Sequence, residues 1–123
     1  MNKLAPLADK ILAVHLEKGG STFNFHGENL AGRDLFAVSI WKSRELRLTE
    51  PLTGAAIKNF IRANETALLY PWNAIGTWTD TFSGVTYLDV VRLVSKRANA
   101  KRLGREHSQL AICYLKTGEI INL

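Results

Sequence analysis

One segment near the C-terminus holds the densest group of chemically active side chains in the sequence. Between Val94 and Arg105 there are five basic residues and no carboxylate. The rest of the chain has equal numbers of basic and acidic side chains, so this segment carries the whole net charge of +5. A local excess of positive charge favours an anionic partner, because the field near a cluster depends on its charge density.

The spacing of these basic residues predicts a helix whose apolar side holds Ala100 and Leu103. At about 100° per residue, three of the basic side chains share the opposite face. Like charges at i and i+4 cost a few tenths of a kcal/mol each when nothing neutralises them, which is a reason to expect an external anion. We call this face the basic ridge; it consists of Arg97, Lys101 and Arg105, with Arg102 beside it.

Three interpretations of the basic ridge stay open from the sequence. It binds nucleic acid, it binds an acidic protein surface, or it is a solvated face that carboxylates such as Glu45, Glu65 or Glu106 neutralise. On the first interpretation, five phosphate contacts predict a slope near −4.5 for the logarithm of affinity against that of salt concentration, at about −0.9 per contact.

An exposed aromatic residue would strengthen the nucleic-acid interpretation, because single-strand binders combine basic grooves with aromatic platforms. Trp72, beside Pro71 in a loop, is the best candidate and joins the ridge residues as a predicted partner-binding residue. Trp41 ends an apolar strand and is expected in the core. Trp78 alternates with threonines, so its facing stays open.

Catalysis is the alternative to binding, and Asp89 is its best candidate. In the strand YLDVV, Asp89 shares a face with Tyr87 and Val91, so an unpaired carboxyl there would have a raised pKa. His107, followed by Gln109, could complete a polar pocket with Asp89, which would make the chain a small enzyme. The other interpretation is that Asp89 pairs with an arginine or caps a neighbouring turn. No metal-ligand spacing or cofactor fingerprint is present, so we expect neither a metal nor a cofactor.

The order of hydrophobic patterns predicts an α+β fold with a mostly antiparallel sheet and two or three helices packed on it. Helices are expected over 4–18, over 54–64 with Thr53 as N-cap, and over the basic segment with Ser95 as cap. STFNF and DLFAVSIW are expected to form one hairpin, with KSRELRLTE continuing the meander. AIGTW and GVTYLDVVRLV are expected to form a second hairpin with a central strand, and QLAICYL and IINL end the sheet.

Length and composition predict one domain over residues 1–123 that buries a core without disulfides. No run approaches eighteen apolar residues, and Pro6, Asp9 and Lys10 interrupt the N-terminal segment where a signal peptide would be apolar. We therefore expect a cytoplasmic protein that does not enter membranes. An exposed edge strand would allow a homodimer through β pairing, although nothing requires one.

The C-terminal third contains GTW, YLDV, HSQLAICYLKTGEII and the helix positions Ala98 and Leu103. In these features it resembles a module of small uncharacterised bacterial, phage and plasmid-borne proteins. The resemblance implies a setting in mobile elements, in which accessory proteins bind a macromolecule and sometimes inhibit a host defence complex. The sequence therefore favours a small binding or accessory protein whose basic helix contacts an anionic macromolecule.

Overall fold

The computed structural model describes residues 4–123, which form four α-helices and seven strands of one sheet. The helices are α1 Leu4–Lys18, α2 Gly54–Ala63, α3 Glu65–Leu68 and α4 Arg97–Glu106. The strands are β1 Gly20–Phe23, β2 Phe36–Ser39, β3 Leu46–Leu48, β4 Asn73–Thr79, β5 Thr86–Val94, β6 Ala111–Tyr114 and β7 Glu119–Asn122. Every pair of neighbouring strands in residues 4–123 is antiparallel, and together with the helices this confirms the predicted α+β class.

Strand β5 organises the sheet, whose order is β1-β4-β5-β2-β6-β7, with β3 also paired to β5. The nine residues of β5 pair along one side with β4 and along the other with β2 and β3 in succession. The predicted hairpin of β4 and β5 and the central position of β5 are therefore confirmed. In this hairpin Trp78 pairs with Tyr87, and Gly76 pairs with Asp89.

The hairpin predicted between the first two strands is wrong. Strand β1 pairs with β4, whereas β2 pairs with β5 and β6. The connection between them is too long for a tight turn, and it buries Leu30 against the sheet. Strand β3 pairs with β5 and not with β2, because a 3₁₀ turn at Lys42–Arg44 separates β2 from β3.

All the helices that pack on the sheet cover the same face. In β5, Leu88 and Val90 lie in one apolar cluster with residues of α1 and α2, and Val94 lies in another with residues of α4. These even-numbered residues project to one side of the strand because side chains alternate along it. Thr53 caps α2 by accepting a hydrogen bond from the Ala56 amide, as predicted.

No helix of residues 4–123 covers the other face of the sheet. The connection between β1 and β2 covers one end, where Leu30 packs against Ala74 and Val91. Beyond that cover, the odd-numbered β5 residues and their neighbours are half-buried or exposed. We call this region the open face; it consists of Glu45, Arg47, Trp78, Tyr87 and Asp89.

Candidate functional site

Helix α4 is held on the sheet by its smallest residues. Ala100 and Gly104 are its buried positions, and they pack toward β6 and the chain end after β7. A Cβ atom at Gly104 would lie 2.5 Å from Leu123 Cδ1 and 3.1 Å from Ile112 Cγ2, so glycine permits this close approach. The predicted N-cap Ser95 is wrong, since Lys96 occupies the cap position and its side chain makes no capping bond.

The basic ridge is present, but its first residue is occupied by contacts within the protein. The Arg97 guanidinium lies 5.3 Å from the ring centroid of Phe36 and 5.4 Å from that of Tyr114. These two rings stack on each other at 4.5 Å. Arg97 also approaches Glu119 of β7 at 3.8 Å. Arg97 therefore anchors the start of α4 to the sheet.

The rest of the ridge keeps its positive charge. Arg102 approaches Glu106, one turn later, at 3.8 Å, and both side chains are exposed, so this pair is weak. Within residues 4–123, no carboxylate lies within 4.0 Å of Lys96, Lys101 or Arg105. Arg105 is exposed and Lys101 is half-buried. The five basic side chains and the two carboxylates that approach them leave a net charge of +3.

Trp72 is 46% exposed, but no described contact joins it to the basic ridge. It stacks on Tyr70 with ring centroids 5.0 Å apart, and the Arg92 guanidinium lies 5.7 Å from its ring. The ring contacts of Trp72 are thus made with Tyr70 and Arg92 and not with the basic ridge, and its place among the partner-binding residues stays a prediction.

The structure does not bring Asp89 and His107 together. Asp89 projects to the face of the sheet without helices, while His107 is exposed at the C-terminal end of α4 on the opposite face. The polar pocket predicted around Asp89, His107 and Gln109 therefore does not form. The sequence could not reveal this separation. Strand alternation shows which β5 side chains share a face of the sheet, but it does not show on which face α4 packs.

Asp89 has an unusual environment on the open face. Burial, followed by the nearby Glu45 carboxylate, raises its pKa from 3.8 to about 6, against the smaller opposing effects of Ser39 and Arg47. Although Ser39 is close enough to lower this pKa, Ser39 Oγ and Asp89 Oδ1 lack a partner with hydrogen-bond geometry and both atoms are buried. Arg47 donates instead to Glu45 at 2.7 Å. The alternative in which an arginine pairs with Asp89 is thus not seen.

Aromatic residues complete the open face. Trp78 and Tyr87 stack with ring centroids 5.6 Å apart, and the Arg47 guanidinium lies 5.6 Å from the Tyr87 ring. Trp78 is 52% exposed, and Phe82 at the tip of the hairpin is fully exposed. The register of β4 with β5 thus places Trp78 on the open face, a choice that the sequence did not decide.

Sequence reasoning missed a polar cluster at the C-terminal end of α1. His15, on the apolar side of this helix, bonds Thr77 Oγ1 through Nδ1 and Thr79 Oγ1 through Nε2, each at 2.8 Å. Burial lowers the pKa of His15, and a cavity of about 260 Å³ lies beside it. Both ring nitrogens are satisfied, so this cluster ties α1 to β4.

Within the part of the chain that the structure describes, no group of three or more potential ligands could hold a metal ion. None of the described helices has the length and apolar character that crossing a membrane requires. In comparisons with protein-family models, curated proteins and solved structures, nothing matches this chain. The resemblance of its C-terminal third to small mobile-element proteins therefore stays a prediction.

Proposed function

We propose that this chain is a cytoplasmic binding protein that contacts nucleic acid through the basic ridge of α4. The observation that carries the proposal is the remaining positive charge of the ridge. Lys101 and Arg105 have no carboxylate within 4.0 Å among the described residues, and the pair of Arg102 with Glu106 is weak. Lys96 adds a further cation at the start of the helix.

The linear arrangement of the ridge favours a phosphate backbone over an acidic protein surface. Lys101 and Arg105 are four residues apart, which corresponds to a rise of about 6 Å along the helix. Phosphates of one DNA strand recur at about 3.4 Å along the duplex axis, so the rise of about 6 Å spans roughly two phosphate intervals and both cations can reach phosphates of one strand. Contacts of this kind give affinity without reading sequence, because the bases are not touched.

The proposed role is that of an accessory protein rather than an enzyme. The resemblance to mobile-element proteins implies that such a protein acts by occupying a macromolecule, either nucleic acid itself or a nucleic-acid-facing surface of a host defence complex. The separation of Asp89 from His107 removes the constellation on which the enzyme alternative depended.

The test is charge reversal with a control matched in position and exposure. Lys101→Glu with Arg105→Glu reverses two cations four residues apart on α4, one half-buried and one exposed. Lys58→Glu with Arg62→Glu makes the same change on α2, where the lysine is also half-buried and the arginine also exposed. Binding to a labelled duplex of about 20 base pairs is measured by fluorescence anisotropy at about 50 mM salt.

The proposal predicts that the α4 variant binds at least roughly tenfold more weakly than the α2 variant. Equal losses of affinity in both variants would show that binding depends only on the net charge of the protein, and would reject the basic ridge as the binding surface. Failure of the unaltered protein to bind DNA or RNA, together with binding to an acidic protein such as a polyglutamate-rich domain, would assign the ridge to the acidic-protein alternative. Circular dichroism of both variants checks that the helices persist.

A further inference from the structure

A tight turn at residues 70–73 holds two aromatic rings on the surface. The Asn73 amide donates to the Tyr70 carbonyl at 3.0 Å, and Pro71 is the second residue of the turn, where proline favours turn geometry. Tyr70 and Trp72 stack within this turn, and their exposed fractions are 49% and 46%. Leu69, which precedes them, is also exposed. The turn thus keeps these two stacked rings, which we call the aromatic pair, in contact with solvent.

Two further hydrogen bonds fix this turn to the rest of the fold. Asn73 Nδ2 donates to the Ala67 carbonyl of α3, and the Leu93 amide of β5 donates to the Trp72 carbonyl, each at 2.7 Å. Asn73 is itself buried at the start of β4. A surface that is already ordered loses little conformational entropy on binding, and tyrosine and tryptophan side chains have few rotatable bonds. The aromatic pair is therefore preorganised for a ligand.

Arg92 connects the aromatic pair with the charge of α4. Its guanidinium lies 5.7 Å from the Trp72 ring, and within residues 4–123 no carboxylate lies within 4.0 Å of it. Arg92 and Val94 project to the same face of β5, and Val94 packs in the cluster beneath α4. Four residues separate Arg92 from Lys96, at most about 14 Å of extended chain. The positive charge of α4 therefore continues to the aromatic pair.

The combination of cation and rings favours an unpaired nucleobase as the ligand. Proteins that bind single strands place phosphates on a basic groove and stack bases on aromatic side chains. The bases of a duplex stack on each other and do not reach a ring on a protein surface without unstacking. An apolar protein partner would cover the rings but would leave the charge of Arg92 without an anion. An unpaired strand uses both the rings and the charge.

We propose that the nucleic acid bound by this chain is single-stranded, with one base stacked on the aromatic pair and the flanking phosphates on Arg92 and the basic ridge. The proposal rests on the function proposed for the ridge and narrows its ligand to an unpaired strand. A duplex engages the ridge alone, whereas a single strand engages the ridge and the rings. Stacking of one base on an aromatic side chain raises affinity about five- to hundredfold whatever the base, so this site does not read sequence.

The test compares two strands that carry the same phosphate charge. A labelled oligothymidine of about 12 nucleotides and an abasic strand of the same length are each titrated with the unaltered protein, and binding is followed by fluorescence anisotropy. The oligothymidine should bind roughly tenfold more tightly, because the abasic strand has no base to stack on the rings. Unlabelled oligothymidine should also quench the fluorescence of Trp72, which is identified as the signal that Trp72→Leu removes.

Variants test whether the rings cause this preference. Tyr70→Leu with Trp72→Leu should lower the affinity for oligothymidine roughly tenfold, to that of the abasic strand, and should leave abasic binding unchanged. Trp78→Leu with Tyr87→Leu is the matched control, because it removes a stacked and partly exposed pair of the same residue types from the other face of the sheet. This control should keep both affinities. Trp72→Phe retains a ring and should keep most of the preference for oligothymidine.

Equal affinity of the unaltered protein for the two strands would overturn the proposal, as would a duplex of the same length that binds more tightly than oligothymidine. A third contrary result is quenching of Trp72 by raised protein concentration alone, which would assign the aromatic pair to a second copy of the chain. The abasic strand tests the ridge separately. If Lys101→Glu with Arg105→Glu binds that strand as tightly as the unaltered protein does, the function proposed for the ridge is wrong and this proposal falls with it.

Discussion

Arg97 and Arg47 form the same kind of local group in two different settings. Each guanidinium lies between 5.3 and 5.6 Å from an aromatic ring that stacks on a second ring, and each approaches a glutamate. At Arg97, the first ring is Phe36, which is buried beneath α4 with 3% exposure. At Arg47, the second ring is Trp78, which is half open to solvent.

The difference between these groups comes from their neighbours and not from their own chemistry. Helix α4 covers Phe36, because Gly104 and Ala100 let the helix approach the sheet closely. Trp78 has Gly20 and Gly76 as neighbours on its face, and these cannot cover it. Arginine over stacked rings therefore fastens a helix in one place and lies over a partly exposed aromatic pair in the other.

The largest expected difference between the two groups is in how much each aromatic ring contributes to the free energy of unfolding. Phe36→Ala removes a buried ring from the core under α4 and should lower the free energy of unfolding by about 3–5 kcal/mol. Trp78→Ala removes a ring that is already half exposed and should cost less than about 1.5 kcal/mol. Urea denaturation followed by circular dichroism measures both. Similar losses would mean that the open face is part of the core and would break the comparison.

An intermediate effect concerns the unpartnered carboxyl of the open face. The folded-state pKa of Asp89, about 6, lies above its ordinary value of 3.8, so its ionisation lowers stability as the pH rises through this interval. Asp89→Asn should therefore stabilise the protein by about 1–2 kcal/mol above pH 7, after allowance for the partial exposure of the group.

The same variant has its own internal control in acid. Below a pH of about 3 Asp89 is mostly protonated in both the folded and the unfolded chain, so the stabilisation should vanish there. Thermal unfolding at several pH values makes the measurement. A destabilising effect of Asp89→Asn at neutral pH would show that the ionised carboxylate has a donor, and the open face would then lack its unpaired acceptor.

The smallest expected effect compares the two arginines directly. Arg97→Met should cost about 0.5–1 kcal/mol, with little change between pH 5 and 8, because it removes ring contacts and one weak ion pair. Arg47→Met should cost a similar amount at pH 8 but less at pH 5, because it leaves Glu45 and Asp89 facing each other without a cation. If the two variants lost stability with the same dependence on pH, the proposed difference between the surroundings of Arg97 and Arg47 would be wrong.

The sequence predicted the elements and the charge of this fold better than it predicted its contacts. Spacing alone located the basic ridge and the hairpin of β4 and β5, because helical and strand periodicities are local. It did not pair β1 with β4, since strand pairing depends on where distant segments pack. It also could not find the partners of Arg97, because Phe36 and Glu119 are brought to α4 only by the sheet.

The environments of the candidate site residues could not be predicted from the sequence either. Asp89 was recognisable as a carboxylate on a strand, but its interaction with Glu45 depends on the 3₁₀ turn between β2 and β3. His15 fits the apolar spacing of α1, and its bonds to Thr77 and Thr79 have no counterpart in the local pattern. Residues that act through neighbours distant in sequence therefore stay hidden until the sheet is assembled.

The salt dependence of DNA binding tests the central claim most directly. With Arg97 anchored to the sheet, four cations remain for phosphates, namely Lys96, Lys101, Arg102 and Arg105. At about −0.9 per contact, the slope of the logarithm of affinity against that of salt concentration should be about −3.6 for the unaltered protein and about −1.8 for Lys101→Glu with Arg105→Glu. A slope near zero, or one that this variant leaves unchanged, would contradict nucleic-acid binding by the basic ridge.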